Sequence, residues 1–191
     1  MLNSTAITPP GQGRVKTRVC IDSTVLLALF APADEAGKMC RGLWADAQTG
    51  RIECFVSALT LIECDHVSGE GGGDRGKDIV DLFESAFLIR CNIDPFNAEL
   101  ARRLREQMTA DTALEPSGWL WLATALMEEC DYLMTYNRRL LKTMGHPALG
   151  KLKVCVPARP WDAGQLSMDE LDGVLPTLPL VEAVTRRSVT I

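Results

Sequence analysis

The chain of 191 residues carries 20 Lys and Arg against 25 Asp and Glu, a formal net charge of −5, and is 47% hydrophobic. That is enough for one well-cored domain with extensions and short for two, and it is the composition of a soluble globular protein, not of a disordered one. The longest apolar runs fall well short of the ~20 residues that span a bilayer, so no membrane helix is expected, and the negative charge argues against a strongly basic nucleic-acid coat while leaving room for a local basic patch.

In chain order, residues 1–16 read as a flexible leader, because Pro-Pro, Gly and charges stand where a secretory signal needs a continuous apolar stretch. "RVCID" is a short apolar run closed by an acid, and "STVLLALFA" continues apolar at a length suited to a buried helix. "DEAGKMCRGLWADAQTG" has helical spacing with Gly50 as its C-cap, and "RIECFVSA" reads as a second strand. "SALTLIECDHV" predicts a helix N-capped by Ser57, with Leu61, Cys64 and Val67 along one stripe. The following "SGEGGGDRG" reads as a mobile loop; it lacks the G-K-[ST] ending of a phosphate-binding loop.

"KDIVDLFESA" is helical and "FLIRCNID" a strand. "PFNAELARRLREQM" is a helix opened by Pro95, with Phe96, Leu100, Leu104 and Met108 four apart and Arg102, Arg103 and Arg105 on its other faces. "EPSGWLWLATALMEEC" is apolar nearly all round, which predicts a buried helix. Trp119 and Trp121 are two apart on it, so they face different ways and at least one packs in the core. "YLMTY" is a strand, "NRRLLKTMG" a short helix and "LKVCVP" the last strand. Alternating strands and helices imply a parallel sheet covered on both faces. From residue 158 prolines punctuate the chain and "SMDE" looks like a capping box, so 158–191 is expected to be an extension with a short helix that packs on the core or on a partner.

Seven cysteines, an odd number with no C-x-x-C pair, predict reduced and mostly buried thiols of a cytoplasmic protein. His66 lies three residues after Glu63, but two histidines in the whole chain support a zinc site poorly.

An acid closing the first strand in "CIDSTVLLALF", then "SALTLIE", "LATAL" and "TYNRRLL" in that order, resemble the PIN-domain family and especially its VapC-like toxin ribonucleases. The likeness covers about residues 17–157. It implies an α/β fold, a Rossmann-like three-layer α/β/α sandwich with a central parallel sheet. It also implies RNA phosphodiester hydrolysis with Mg²⁺ or Mn²⁺ held by three or four carboxylates, hard oxygen ligands for a hard cation. A homodimer and a small antitoxin partner are implied with it.

Carried over by position, the first acid is Asp22 and the second Glu63. The third family acid falls at Gly118, which brings no ligand, and the fourth at Asn137, which offers a carbonyl oxygen without charge. A further acid two residues on is replaced by Arg139, beside Arg138. Each lost carboxylate removes ~1–3 kcal/mol of hold on a divalent ion, so reduced or lost activity is expected. Glu115, one helical turn before Gly118, is a replacement ligand or, near the helix start, a capping acid; Asp111 is a second candidate. Asp22 is equally placed to cap the helix beginning at Ser23, and Glu63 to be an ordinary helical acid. Arg138, Arg139 and Lys142 read either as a grip on an RNA backbone or as a solvated helix face. Two functions remain: a metal-dependent endoribonuclease using Asp22, Glu63 and Asn137, and a PIN module without activity that binds RNA or a protein.

Overall fold

The computed structural model describes residues 16–30, 35–64, 76–108 and 113–159. The leader up to residue 15, the glycine loop with Asp65 and His66, Asp111, and the C-terminal extension from residue 160 lie outside the described residues. β1 (Thr17–Ile21), β2 (Ile52–Ser57), β3 (Leu88–Cys91), β4 (Tyr132–Met134) and β5 (Lys153–Cys155) form one sheet in the order β3-β2-β1-β4-β5. Every pairing is parallel. The helices that flank it are α1 (Ser23–Leu29), α2 (Glu35–Gln48), α3 (Leu59–Glu63), α4 (Gly76–Phe83), α5 (Pro95–Met108), α6 (Pro116–Met127) and α7 (Arg138–Leu141).

This is the expected α/β architecture, and its physical cause is visible in the strands. Val19, Cys20 and Ile21 of β1 and Cys54, Phe55 and Val56 of β2 are buried on both faces, as a parallel sheet covered by helices requires. β1 lies between β2 and β4, so chain order reverses beside it. At such a switch point the helices leave the sheet in opposite directions and a crevice opens beyond the carboxyl ends of the strands. Asp22 is the first residue past β1 at that crevice.

Helix α6 matches the all-apolar reading: Gly118, Trp119, Trp121, Leu122, Ala123, Thr124 and Ala125 are all buried. Both tryptophans pack in the core. The seven cysteines are free thiols, six of them buried. Burial pushes Cys91 and Cys155 up to about 12, so neither is a thiolate at neutral pH.

Two helix starts add detail to the sequence reading. Ser57 stays in β2, paired with Cys91, while Ala58 N donates to Cys91 O at 2.9 Å. Strand pairing therefore runs through the expected cap, which still serves the helix: Ser57 Oγ accepts from Leu59 N at 3.3 Å, and α3 starts at Leu59. In α5 Leu104 and Met108 are buried and Leu100 packs against the core, as the spacing by fours predicts, but Phe96 is 74% exposed and Asn97 is buried. The cause is a reciprocal cap in which Asp94 Oδ1 accepts from Phe96 N and Asn97 N at 2.8 and 2.9 Å, and Asn97 Oδ1 accepts from Asp94 N at 3.0 Å. That box needs Asn97 turned inward.

Past β5, the Arg159 guanidinium donates through Nη2 to Gly42 O and Asp46 Oδ1, both at 3.0 Å, and its Nε lies 2.9 Å from Asp46 Oδ2. Asp46 is buried and also 3.4 Å from Arg51. This fork-like pairing fastens the chain to α2 where it leaves the sheet.

Candidate functional site

Asp22 is 1% exposed, and both its carboxylate oxygens are taken by hydroxyl donors. Thr24 Oγ1 donates to Oδ1 at 2.6 Å and Thr135 Oγ1 to Oδ2 at 2.5 Å. Each hydroxyl in turn accepts a backbone N–H from the segment after β4: Tyr136 N into Thr24 at 2.8 Å and Asn137 N into Thr135 at 2.8 Å. Two relays thus run from that segment through a threonine onto one carboxylate. Asp22 also caps α1 by accepting from Val25 N at 3.2 Å. The cap role and the site position coincide in one residue.

Burial drives the Asp22 carboxyl up from 3.8 to about 7; the Thr135 and Thr24 hydroxyls oppose this, and the charge of Glu63 adds to it. Asp22 and Glu63 are therefore close enough to repel, as their shared place in the site requires. Glu63, at the end of α3, is half-buried, and its Oε2 accepts from Ser23 Oγ at 2.5 Å and from the indole Nε1 of Trp121 at 3.2 Å. One acid thus joins α1, α3 and α6.

The remaining candidates are placed as follows. Gly118 is buried in α6, one turn before Trp121. Asn137 caps α7, its Oδ1 accepting from Arg139 N at 2.9 Å and Leu140 N at 3.5 Å. Glu115 sits at the N-cap position of α6 but makes no side-chain cap bond. Instead it is ion-paired with Arg139, both side chains about half exposed. Arg138 and Lys142 are exposed on and beside α7. Replacing Asn137 by Ala removes the cap and should cost about 1 kcal/mol in urea unfolding; an unchanged midpoint would show that the amide is not needed there.

Ser23, Thr135 and Trp121 were not among the sequence candidates. Thr135 stood in the "TYN" motif and had a signal; an indole N–H reaching an acid 58 positions away in the chain had none.

Does this set fit the divalent cation that the fold implies? A hard cation needs converging anionic oxygens in the charged form. Here Asp22 is bonded on both oxygens, Glu63 takes two donors on Oε2, Gly118 supplies nothing, the Asn137 oxygen is committed to backbone N–H groups, and Glu115 is ion-paired with Arg139. Among the described residues no group of three or more His, Cys, Asp or Glu is arranged to hold a metal ion. The described residues, bonded as they are, do not fit a divalent metal.

The family model described as "PIN domain" matches residues 19–145. Among solved structures the chain is similar to Mycobacterium tuberculosis VapC20, a sarcin-ricin loop cleaving toxin, at 13% identity and TM-score 0.50 over 60% of this chain and 86% of that one. It is also similar to a toxin–antitoxin complex from Klebsiella pneumoniae, at 18% identity and TM-score 0.50 over 74% of this chain and 98% of that one. A third is VapBC2 from Rickettsia felis bound to a DNA fragment from its promoter, at 15% identity and TM-score 0.53 over 72% of this chain and 98% of that one. At these identities the likeness bears on the fold alone. No curated protein matches the sequence.

Proposed function

The chain belongs to the PIN-domain family, and from that premise we propose that it is a PIN module that has lost metal-dependent phosphodiester hydrolysis and acts by binding RNA. The observation that carries this reading is the state of the two retained acids: Asp22 and Glu63 are both tied to internal donors, and the third and fourth acid positions are Gly118 and Asn137. A buried polar cluster bonded from within rigidifies a fold, and an ion entering this one would have to displace the donors on Asp22 and on Glu63 Oε2.

RNA is supported as the bound class by the family and by the cations at the same sheet end, Arg138 and Lys142 with Arg139 between them. A small antitoxin-like protein is a further partner of the same reading, supported by the similar toxin–antitoxin complex, and a second copy of the chain is one that the family resemblance implies. Seven free thiols support a reducing, cytoplasmic setting. Among the described residues no helix is long and apolar enough to cross a membrane.

Calorimetric titration of Mn²⁺ into the unmutated chain should give no heat beyond dilution, and RNA incubated with it and Mn²⁺ should stay intact. RNA binding should survive Asp22→Asn. The Arg138→Ala, Lys142→Ala double change should weaken it and flatten its salt dependence by about 0.7 in log–log slope per lost contact on single strands. Stoichiometric Mn²⁺ binding that Asp22→Asn and Glu63→Gln both abolish would overturn the proposal in favour of a working nuclease.

A further inference from the structure

Trp121 and Ser23 have no part in RNA binding as proposed, yet both converge on the oxygen Oε2 of Glu63. Trp121 is 2% exposed and Ser23 7%, so neither donor is free to swing away into solvent. Side chains on a helix lean toward its N-terminus, which carries the Trp121 ring back over the turn that holds Gly118. A position without a side chain, where the family resemblance puts a third ligand, and the largest of side chains thus stand one turn apart on α6, and the atoms nearest to a Cβ at that position belong to Leu114.

We infer that Trp121 closes the residual acid pair against divalent cations, holding Glu63 with a neutral N–H donor across the space that a carboxylate at Gly118 would share with it. This rests on the reading of the chain as a non-hydrolytic PIN module and gives that state its physical cause: the site is blocked as well as depleted. A cation of this class sits about 2.0–2.1 Å from its oxygens. The indole N–H and the Ser23 hydroxyl both direct the positive end of a bond at Oε2, so a cation reaching that oxygen has to displace two donors held by buried side chains. Restoring charge alone therefore gives only a weak site.

Calorimetric titration of Mn²⁺ into the full chain tests this, comparing Gly118→Asp, Trp121→Phe, the Gly118→Asp/Trp121→Phe double variant and the Gly118→Asp/Ser23→Ala double variant. A Cβ at Gly118 meets Leu114 Cδ2 at 3.3 Å and Leu114 Cβ at 3.4 Å, a contact that a small turn of the leucine relieves. Phe keeps the buried aromatic and removes only the N–H donor and one ring. Gly118→Asp alone should bind Mn²⁺ weakly, and the double variant with Trp121→Phe at least about ten-fold more tightly, the factor one hydrogen bond to a charged group supplies. The Ser23→Ala double variant, which removes the other donor and leaves the core aromatic intact, should also bind more tightly than Gly118→Asp and serves where Trp121→Phe does not fold by circular dichroism. Equal affinity of Gly118→Asp and the folded double variants overturns the inference. Tight binding by the unmutated chain, abolished by Asp22→Asn, overturns the non-hydrolytic reading instead.

Discussion

Asp22→Asn is expected to make the protein more stable above pH 7 and slightly less stable at pH 5, so that its stability curve crosses that of the unmutated chain. The Asp22 carboxyl titrates at about 7 in the fold against 3.8 ordinarily, because burial penalises the charged form more than the two threonine hydroxyls favour it. An acid whose folded pKa is raised binds more protons folded than unfolded between those two values. Stability therefore falls as pH rises from about 4 to about 7, and the loss is complete above the folded pKa. Roughly three units at 1.36 kcal/mol each puts the loss at up to about 4 kcal/mol. Asparagine carries no such charge. Its amide keeps an oxygen for Thr24 and Val25 N, but its NH₂ meets Thr135 Oγ1, which already accepts from Asn137 N; that mismatch costs about 1 kcal/mol at any pH. Thermal melts from pH 4 to 8 with EDTA present, so that adventitious metal adds nothing, should show a melting temperature on the order of 5–10 °C higher for the variant at pH 8. Parallel curves would mean that Asp22 is ionised throughout and that the account of the site's electrostatics is wrong.

The sheet and its order were legible because parallel strands buried on both faces leave short continuous apolar runs, and "RVCID", "RIECFVSA" and "YLMTY" are such runs. Asp22 and Glu63 were picked out by the resemblance to the PIN-domain family, and in the structure the charge of Glu63 bears on Asp22. Phe96 was misjudged for a local reason: Leu100, Leu104 and Met108 keep the predicted inner face, but in the first turn the Asp94–Asn97 capping box turns Asn97 inward, and its cost in exposed phenyl surface is offset by three satisfied backbone donors. The Trp121–Glu63 bond and the Arg139–Glu115 pair were not legible at all. Both are side-chain contacts between elements whose relative rotation is set by the packing of α6 against the sheet, and no periodicity encodes that rotation. The departures at Gly118, Asn137 and Arg139 could be read from sequence as losses; only the geometry shows that the remaining acids have been given other partners.

Thr135→Val should cost about 2–4 kcal/mol at pH 8 and distinctly less at pH 5. Thr135 is fully buried and serves two neighbours with one hydroxyl, donating to Asp22 Oδ2 and accepting from Asn137 N. Valine has nearly the same shape, so packing is preserved and the loss is almost wholly polar. Two buried groups lose a partner, each at ~1–3 kcal/mol, and the larger penalty falls on the carboxylate when it is charged. The pH dependence follows from the sign of the hydroxyl's effect, which is to lower the Asp22 pKa. Removing it raises that pKa further, extends the range over which the folded state holds the extra proton, and so deepens the loss of stability on the alkaline side. A double-mutant cycle with Asp22→Asn isolates the contribution: with no carboxylate to charge, Thr135→Val should lose most of its pH dependence and leave only the orphaned Asn137 N–H. Urea unfolding at the two pH values measures all four corners. If the cost of Thr135→Val is the same at pH 5 and pH 8, the threonine relays are packing features and do not hold the Asp22 carboxylate. If the cycle shows strong coupling at pH 8 that fades at pH 5, the inherited first acid of the site is a charge restrained by its own fold.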